Sequence, residues 1–453
     1  MSLFHRLIIF TFNLVYSGSR WFQRRFTTTG KFLVSVLIIS AALGVDTRLN
    51  LAHQIFTLLA SLLLISLLWA PFFRFKYILR RVLPRYGTVD EPLGYQIILT
   101  NQHGSTQRGF ELAEDFIAAK LPTEQFFSSD SAEDKGVNWF DRVVGYPRWA
   151  SLMRKASGAL DTQQPLKDIP VDEAVRFDMK LHPLRRGYLH FSRCSVTRAD
   201  PLGLFRSRVS QHVDDKILIL PKRYRLPVID LPGSRRFQQG GVTLASEIGE
   251  SDEFVSLRDY RPGDPLRHVH WKSLARTGKP IVKQYQDEYF SRHALILDTF
   301  TEGVTEHSAF EAAVSVAASF TSTIDTSESL LDLLFVGAKA THVTAGRSLG
   351  QADQLLEVLA CVEPCTQHLF DTLTQSVMAN SSRISGCICV LLNWNEERQK
   401  LLRRLRTAGV PSMVLLISDR TTDETPELGP MADQPDRFHL INPSSIEQDL
   451  AAI

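Results

Sequence analysis

Two apolar stretches near the N-terminus constrain this chain more than any other feature. Residues 27–44 (TTTGKFLVSVLIISAALG) carry one charge, Lys31, and residues 53–73 (HQIFTLLASLLLISLLWAPFF) carry no Asp, Glu, Lys or Arg. A helix needs about 20 apolar residues to cross a hydrocarbon core of about 30 Å. The second stretch meets that length comfortably, the first only just. Residues 45–52 leave room for a tight turn, so the pair predicts a two-helix transmembrane hairpin. Charge predicts its orientation. Arg6, Arg20, Arg24, Arg25 and Lys31 come ahead of the first span, and Arg74, Lys76, Arg80, Arg81 and Arg85 follow the second, with no acid in either set. By the positive-inside rule both ends face the cytoplasm. The expectation is a multi-pass protein of the inner (cytoplasmic) membrane with most of its chain in the cytoplasm. A cleaved signal peptide ending near Ala41 and Ala42 is the plainer alternative, but it would leave about 30 residues ahead of its apolar core, too many for the usual leader. Residues 3–16 are also apolar apart from His5 and Arg6; they either lie in the membrane interface or rest on the hairpin.

The averages conceal this arrangement. The 453 residues are 44% hydrophobic and 22% charged, with a net charge of +2, and the mean hydropathy is −0.07. Those values exclude a disordered chain, a DNA-coating protein and a many-pass channel. The charge is split, however. Residues 1–85 hold 11 Lys or Arg and one acid, leaving 40 Lys or Arg and 48 acids for the rest. A basic anchor precedes an acidic body. The five cysteines (Cys194, Cys361, Cys365, Cys387, Cys389) are too sparse for a disulfide framework and match no standard zinc spacing, so they read as small buried hydrophobes.

Beyond the anchor (residues 1–86), three parts are expected. Residues 87–226 alternate apolar and polar positions between turn residues, as in YQIILT at 95–100, AVRFDMKL at 174–181 and GYLHFSRCSV at 187–196. That pattern predicts a β-sandwich-like domain. Residues 111–167 give no firm element. Residues 227–291 are a linker and a polar segment. Residues 292–453 alternate apolar strands (294–298, 330–337, 387–393, 412–418) with helices (308–323, 355–362, 396–408), which predicts an α/β doubly wound domain.

The polar segment carries the candidate site. Residues 258–283 (RDYRPGDPLRHVHWKSLARTGKPIVK) hold seven Lys or Arg against two Asp. Pro262 and Gly263 make a turn, and residues 268–271 alternate as a short strand would. A Walker A loop fails, because Pro280 follows Gly278-Lys279 and Ser273 stands where the first Gly belongs. His268 and His270 share a strand face but lack a third metal ligand at a suggestive spacing. Nucleic-acid binding is disfavoured, since the basic run sits beside an acidic one and reads as an internal salt-bridge network. An Arg/Asp/Trp network pinning the loop, with a partner surface on it, is the favoured physical reading. The candidate residues are Arg258, Asp259, Tyr260, Gly263, Asp264, His270, Trp271, Lys272 and Arg276.

The string Glu253-Phe254, Leu257-Arg258-Asp259-Tyr260, Pro262-Gly263-Asp264, Arg267, His270-Trp271-Lys272 and Ala275-Arg276-Thr277-Gly278 resembles the signature of domain-of-unknown-function family 58. Arg185-Arg186-Gly187, Asp200-Pro201-Leu202-Gly203-Leu204 and the hairpin resemble it as well. The resemblance implies no activity. It implies a membrane protein that works with a MoxR-type AAA+ ATPase, and other membrane proteins, in assembly or maturation of complexes. The C-terminal order of elements resembles a von Willebrand factor A-type domain, whose metal motif Asp-x-Ser-x-Ser appears here as Asp298-Thr299-Phe300-Thr301-Glu302. Phe300 cannot ligate a hard cation, so no metal or other cofactor is expected, and Asp298 reads as a strand-end cap. The leading expectation is therefore a non-enzymatic scaffold or adaptor. The alternatives are a hydrolase using Asp264, His270 and Lys272 at a domain junction, and a metal-dependent protein-binding A-type domain. The sequence holds no GxSxG elbow, HExxH, GxGxxG or P-loop.

Overall fold

The computed structural model describes residues 3–43, 50–117, 126, 145–160, 164–227, 249–262, 264, 266–288, 291–301, 307–323, 329–337, 339–345, 349–365, 369–418 and 427–453. The chain divides into two units, Met1–Lys222 and Arg223–Ile453. The expected anchor and β-rich part share the first; the motif segment and the α/β part share the second.

The first unit opens with helices α1 (Leu3–Arg25), α2 (Thr28–Leu43) and α3 (Asn50–Trp69). Leu51–Phe72, 22 residues of mean hydropathy 2.2, is long and apolar enough to cross a membrane, and protein covers little of it. It stands alone in that respect among the described residues. Helix α2 is apolar but has 16 residues, a rise of about 24 Å. It packs on α3. The expected turn at 45–49 lies outside the described residues.

Strands β1 (Tyr77–Val82), β2 (Tyr86–Thr88), β3 (Leu93–Asn101) and β4 (Phe110–Phe116) follow, then helix α4 (Tyr146–Ser157) and strands β5 (Gln164–Pro165), β6 (Ala174–Leu181), β7 (Gly187–Ala199) and β8 (Arg206–Leu220). They form two sheets, ordered β1-β3-β6 and β2-β8-β7-β4-β5. Burial along β1 alternates strictly, as period-2 side chains on one covered face require. Tyr77, Ile97, Leu99 and Met179 of the first sheet share one core with Leu112, Phe191, Val196 and Ile219 of the second. The sheets therefore pack face to face, as the alternation predicted.

A charge sits inside this core. The Arg81 side chain is fully buried. Its Nε and Nη2 donate to both Glu114 oxygens at 2.9 and 2.7 Å, and its Nη1 donates to Asp215 at 2.9 Å and to the Val213 carbonyl at 2.7 Å. The ring of Phe191 lies 4.9 Å from the guanidinium carbon. Arg81 therefore does not add to the free positive charge beside the second apolar stretch.

The cluster at residues 200–204 is a turn that receives a helix. Asp200 Oδ1 accepts from the backbone N–H groups of Leu204 and Phe205 at 2.7 and 3.0 Å, and Gly203 takes a positive φ of 68° that folds the loop back. The loop's carbonyls then receive the start of α2. Thr27 Oγ1 donates to Gly203 O at 2.6 Å, and Thr27 N donates to Leu204 O at 3.2 Å. A Cβ on Gly30 would overlap the Leu204 carbonyl oxygen, so glycine allows the close approach. Residues 3–16, left between two placements by the sequence, belong to α1. Its Phe12 packs against Tyr146 and the buried Trp149 of α4.

The second unit begins with strand β9 (Gly249–Asp259), helix α5 (Trp271–Thr277) and strand β10 (Ile281–Glu288). Strand β11 (Ser291–Leu297), helix α6 (His307–Thr323), strands β12 (Ser329–Val336) and β13 (Ala340–Ala345), and helices α7 (Leu349–Cys361) and α8 (Phe370–Asn380) come next. Strand β14 (Gly386–Leu391), helix α9 (Glu396–Thr407), strands β15 (Ser412–Ile417) and β16 (Phe438–Ile441), and helix α10 (Ile446–Ala451) complete it. Six strands make one sheet in the order β13-β12-β11-β14-β15-β16. All pairs are parallel except β12 with β13. Strands β14 and β15 are buried at every residue, which explains their unbroken apolar sequences. Cys194, Cys365, Cys387 and Cys389 are buried and Cys361 is exposed.

Two measurements check this account. Removing one member of a buried pair leaves the other charge unpaired, so Arg81→Met lowers unfolding free energy by about 3–5 kcal/mol, and Arg81→Met with Glu114→Leu recovers much of the loss. Denaturant melts of the three proteins read the difference. His293 on β11 is 2% exposed, and burial pulls its pKa down to about 4. The unfolded imidazole titrates near 6.5. Between these values the unfolded chain binds a proton that the folded chain excludes, so stability falls as pH drops from 6.5 towards 4. A His293→Leu variant has a flatter pH dependence in the same melts.

Candidate functional site

Strands β9 and β10 pair antiparallel, with Arg258 opposite Val282 and Asp259 opposite Ile281. The candidate residues fill the excursion between them. Arg258 grips Asp264 through two parallel hydrogen bonds of 2.7 Å, and Asp264 also accepts from Arg261 N at 2.8 Å. This fork geometry holds the Asp264 carboxyl down at about 2, below the usual carboxylate range. Asp264 N donates back to Arg261 O at 3.0 Å, which closes a turn around Pro262. Gly263 lies outside the described residues.

The segment expected to alternate as a strand does something else. Leu266–His268 forms a turn of 3₁₀ helix, Val269 bridges Val282, and α5 begins at Trp271. Apolar–polar alternation over four residues cannot distinguish a strand from a tight turn that buries one valine. His270 N donates to Ile281 O at 2.8 Å, and Ser273 N and Leu274 N both donate to His270 O, which starts the helix. Gly278 ends it at a φ of 67°, donating to Leu274 O. Tyr260 N donates to Pro280 O at 3.0 Å and closes the excursion at its base.

The structure thus sorts the candidates. Arg258 and Asp264 hold the loop. His270 Nδ1 lies 2.6 Å from Ser273 Oγ, whereas Asp264 is bound to Arg258, so the two take different partners. Asp259, Lys272 and Arg276 are exposed. So are Leu266 and Trp271, at 68% and 63%. A tryptophan left in water at the start of a helix that also carries Lys272 and Arg276 is an unusual use of the residue.

A second constellation lies at the carboxyl end of β11, where the sheet order reverses between β11 and β14. Such switch points are where open, mostly parallel α/β sheets hold ligands. Asp298 is fully buried there. Its Oδ1 accepts from Phe300 N at 3.0 Å, the capping expected of it, and its Oδ2 accepts from Leu392 N at 3.2 Å. Arg398 of α9, 2% exposed, donates through Nε to Oδ2 at 3.1 Å and through Nη2 to Oδ1 at 3.4 Å and to Phe300 O. Its guanidinium carbon stands 4.4 Å from the Phe370 ring centroid. A guanidinium thus occupies the face of Asp298 that a cation would need. Thr299 Oγ1 donates to Val336 O, so that hydroxyl is also committed; Glu302 lies outside the described residues. Arg398 was not among the expected residues, though a signal was available. It precedes Leu401, Leu402 and Leu405 at helical spacing, a cation on the stripe that the helix buries.

Residues 256–435 match the family model described as "Protein of unknown function DUF58". The match begins within β9 and ends before β16, so helices α1 to α4 and the clusters at 185–187 and 200–204 lie outside it. "Uncharacterized protein YeaD" of Bacillus subtilis (strain 168) is 30% identical over 150 residues, which span 32% of this chain and 35% of that protein. Among solved structures, the CARDB domain of PF1109 from Pyrococcus furiosus has 8% identity over 33% of this chain and 91% of its own, with a TM-score of 0.16. Spo0M from Bacillus subtilis has 9% identity over 32% and 49%, with a TM-score of 0.14. At those scores neither likeness bears on the fold.

The Asp298–Arg398 pair makes a distinct prediction. Burial pushes the Asp298 carboxyl up, and Arg398 pulls it down. Arg398→Met removes the pull, and the variant loses about 3–5 kcal/mol at neutral pH. A carboxyl raised above its unfolded value of about 3.9 takes up a proton on folding, so the deficit against the parent shrinks as pH falls towards 4. Paired urea melts at pH 7 and pH 5 read it.

Proposed function

We propose that this chain is a membrane-anchored, cytoplasm-facing adaptor that presents the loop between β9 and β10 to a MoxR-type AAA+ ATPase. In this reading α2 and α3 form the expected hairpin, and the arginines on either side keep both of its ends in the cytoplasm. The sheet order with its antiparallel edge strand, and an aspartate at the end of the first strand, support a von Willebrand factor A-like reading of the C-terminal sheet. The Arg398 contact supports a version of that domain that works without a divalent ion.

One observation carries the proposal. Trp271 is exposed in the excursion between β9 and β10 that the Arg258–Asp264 fork ties near its start. A preformed loop loses little entropy on docking, and tryptophan and arginine are the residues that most often dominate binding energy. Lys272 and Arg276 add positive charge, which fits an acidic patch around an apolar pocket on the partner. The hydrolase alternative has weaker support, because Asp264 is engaged by Arg258 and His270 by Ser273.

The test is a crosslinked pull-down from membranes, read by mass spectrometry. Trp271→Ala with Lys272→Glu is expected to cut recovery of the ATPase by about tenfold, a loss of about 1.4 kcal/mol, while the thermal midpoint stays where it was. Undiminished recovery by that variant would remove the loop from the interface.

A further inference from the structure

The last two turns of α1 build a second, separate site. Ser17, Arg20, Trp21, Arg24 and Arg25, with Arg208 of β8, line a cavity of about 310 Å³. Its lining has four guanidinium groups, two of which, Arg24 and Arg208, are bound to the Asp115 carboxylate. We propose that this cavity seats the phosphate of an anionic membrane phospholipid, of the phosphatidylglycerol kind. The inference rests on the anchored reading above and adds a ligand to it.

The arginines are held in place rather than loose. Asp115 accepts from Arg24 at 2.6 Å through one carboxylate oxygen and from Arg208 through the other, which fixes two of the forks. Arg25 donates to the Arg206 carbonyl at 3.3 Å and lies over the Phe205 ring, and Arg20 lies over the Tyr16 ring. Burial, and after it the charge of Arg208, lowers the Arg25 pKa. Planar forks held by neighbours suit a phosphate oxyanion better than mobile ammonium groups do.

Position supplies the rest. Arg25 is three residues from the first residue of the apolar α2, and Thr27 is tied between them to Gly203. At about 1.5 Å per helical residue the cavity lies within roughly one headgroup layer of the apolar helix. On the same helix Leu7, Phe10, Leu14 and Trp21 are exposed large apolar side chains. An apolar row ending in tryptophan beside a set of arginines is the composition of a helix lying in the headgroup plane. A free phosphate ion satisfies the same forks but makes no use of that row.

The experiment uses the full chain in a neutral detergent and measures binding of fluorescent phosphatidylglycerol. Saturable binding, displaced by phosphatidylglycerol but not by phosphatidylcholine or inorganic phosphate, is expected. Arg20→Gln with Arg25→Gln spares the Asp115 pairs and is expected to weaken binding by about tenfold, whereas Arg6→Gln with Arg74→Gln, which removes equal charge elsewhere, leaves it unchanged. Equal losses in both variants, displacement by inorganic phosphate, or no preference over phosphatidylcholine would each overturn the proposal. If the first variant fails to fold, the competition series on the parent decides by itself. Alkaline extraction of membranes separates this from the anchor: a chain that stays in the membrane without lipid preference sinks the site alone, and a chain that is released sinks both.

Discussion

A buried guanidinium is tolerable only where carboxylates meet it, and such meetings stand in both units of this protein, at Arg81 in the first and at Arg292 and Arg398 in the second. Moving an ion out of water costs several kcal/mol even after relaxation, so an unpaired Arg81 or Arg398 would not stay where it is. Arg81 on β1 is met by Glu114 on β4 and by Asp215 on β8, which ties a strand of one sheet to two strands of the other. Arg398 on α9 is met by Asp298 at the end of β11. The hydrophobic faces decide that these elements come together. Their alternating pattern also sets the register, and a shifted strand would in addition leave a buried charge without a partner.

That division also explains how far the sequence could be read. Alternation and unbroken apolar runs showed β3, β6, β7, β11, β12, β14 and β15, since a covered face leaves a periodic mark. Strand β4 (FELAEDF) escaped, because Glu114 and Asp115 stand where a sheet was expected to show apolar residues and their partners, Arg81, Arg24 and Arg208, are far away in the chain. Helix α4 escaped for a related reason. It is short and mostly polar, and Trp149 is buried through contacts with α1, which local pattern does not reveal. The motif segment was legible as a clamped loop, but the pairing was not. Seven cations and two aspartates allow many networks, and only geometry selects Arg258 with Asp264.

The switch-point aspartate shows how one substitution of partner changes what a fold can do. At the end of the first strand of such a sheet a carboxylate is well placed to hold a ligand. Here the helix that follows β14 supplies its own cation, with a phenyl ring behind it. A divalent ion exchanges with solvent, whereas a guanidinium on a packed helix does not. The carboxylate's hydrogen-bonding capacity at this crevice is thus spent inside the fold.

The seam between α2 and the β-sandwich has a mechanical consequence. A helix joined to a domain by several pliant residues tumbles independently of it. Here Phe26 pairs with Phe205, Thr27 is bonded to the loop at 203–204, and Gly30 leaves no gap above the Leu204 carbonyl. The helix and the sandwich therefore turn as one lever. A torque applied to either is delivered to the other without a slack joint to absorb it, so the tilt of the helix sets the direction in which the sandwich faces.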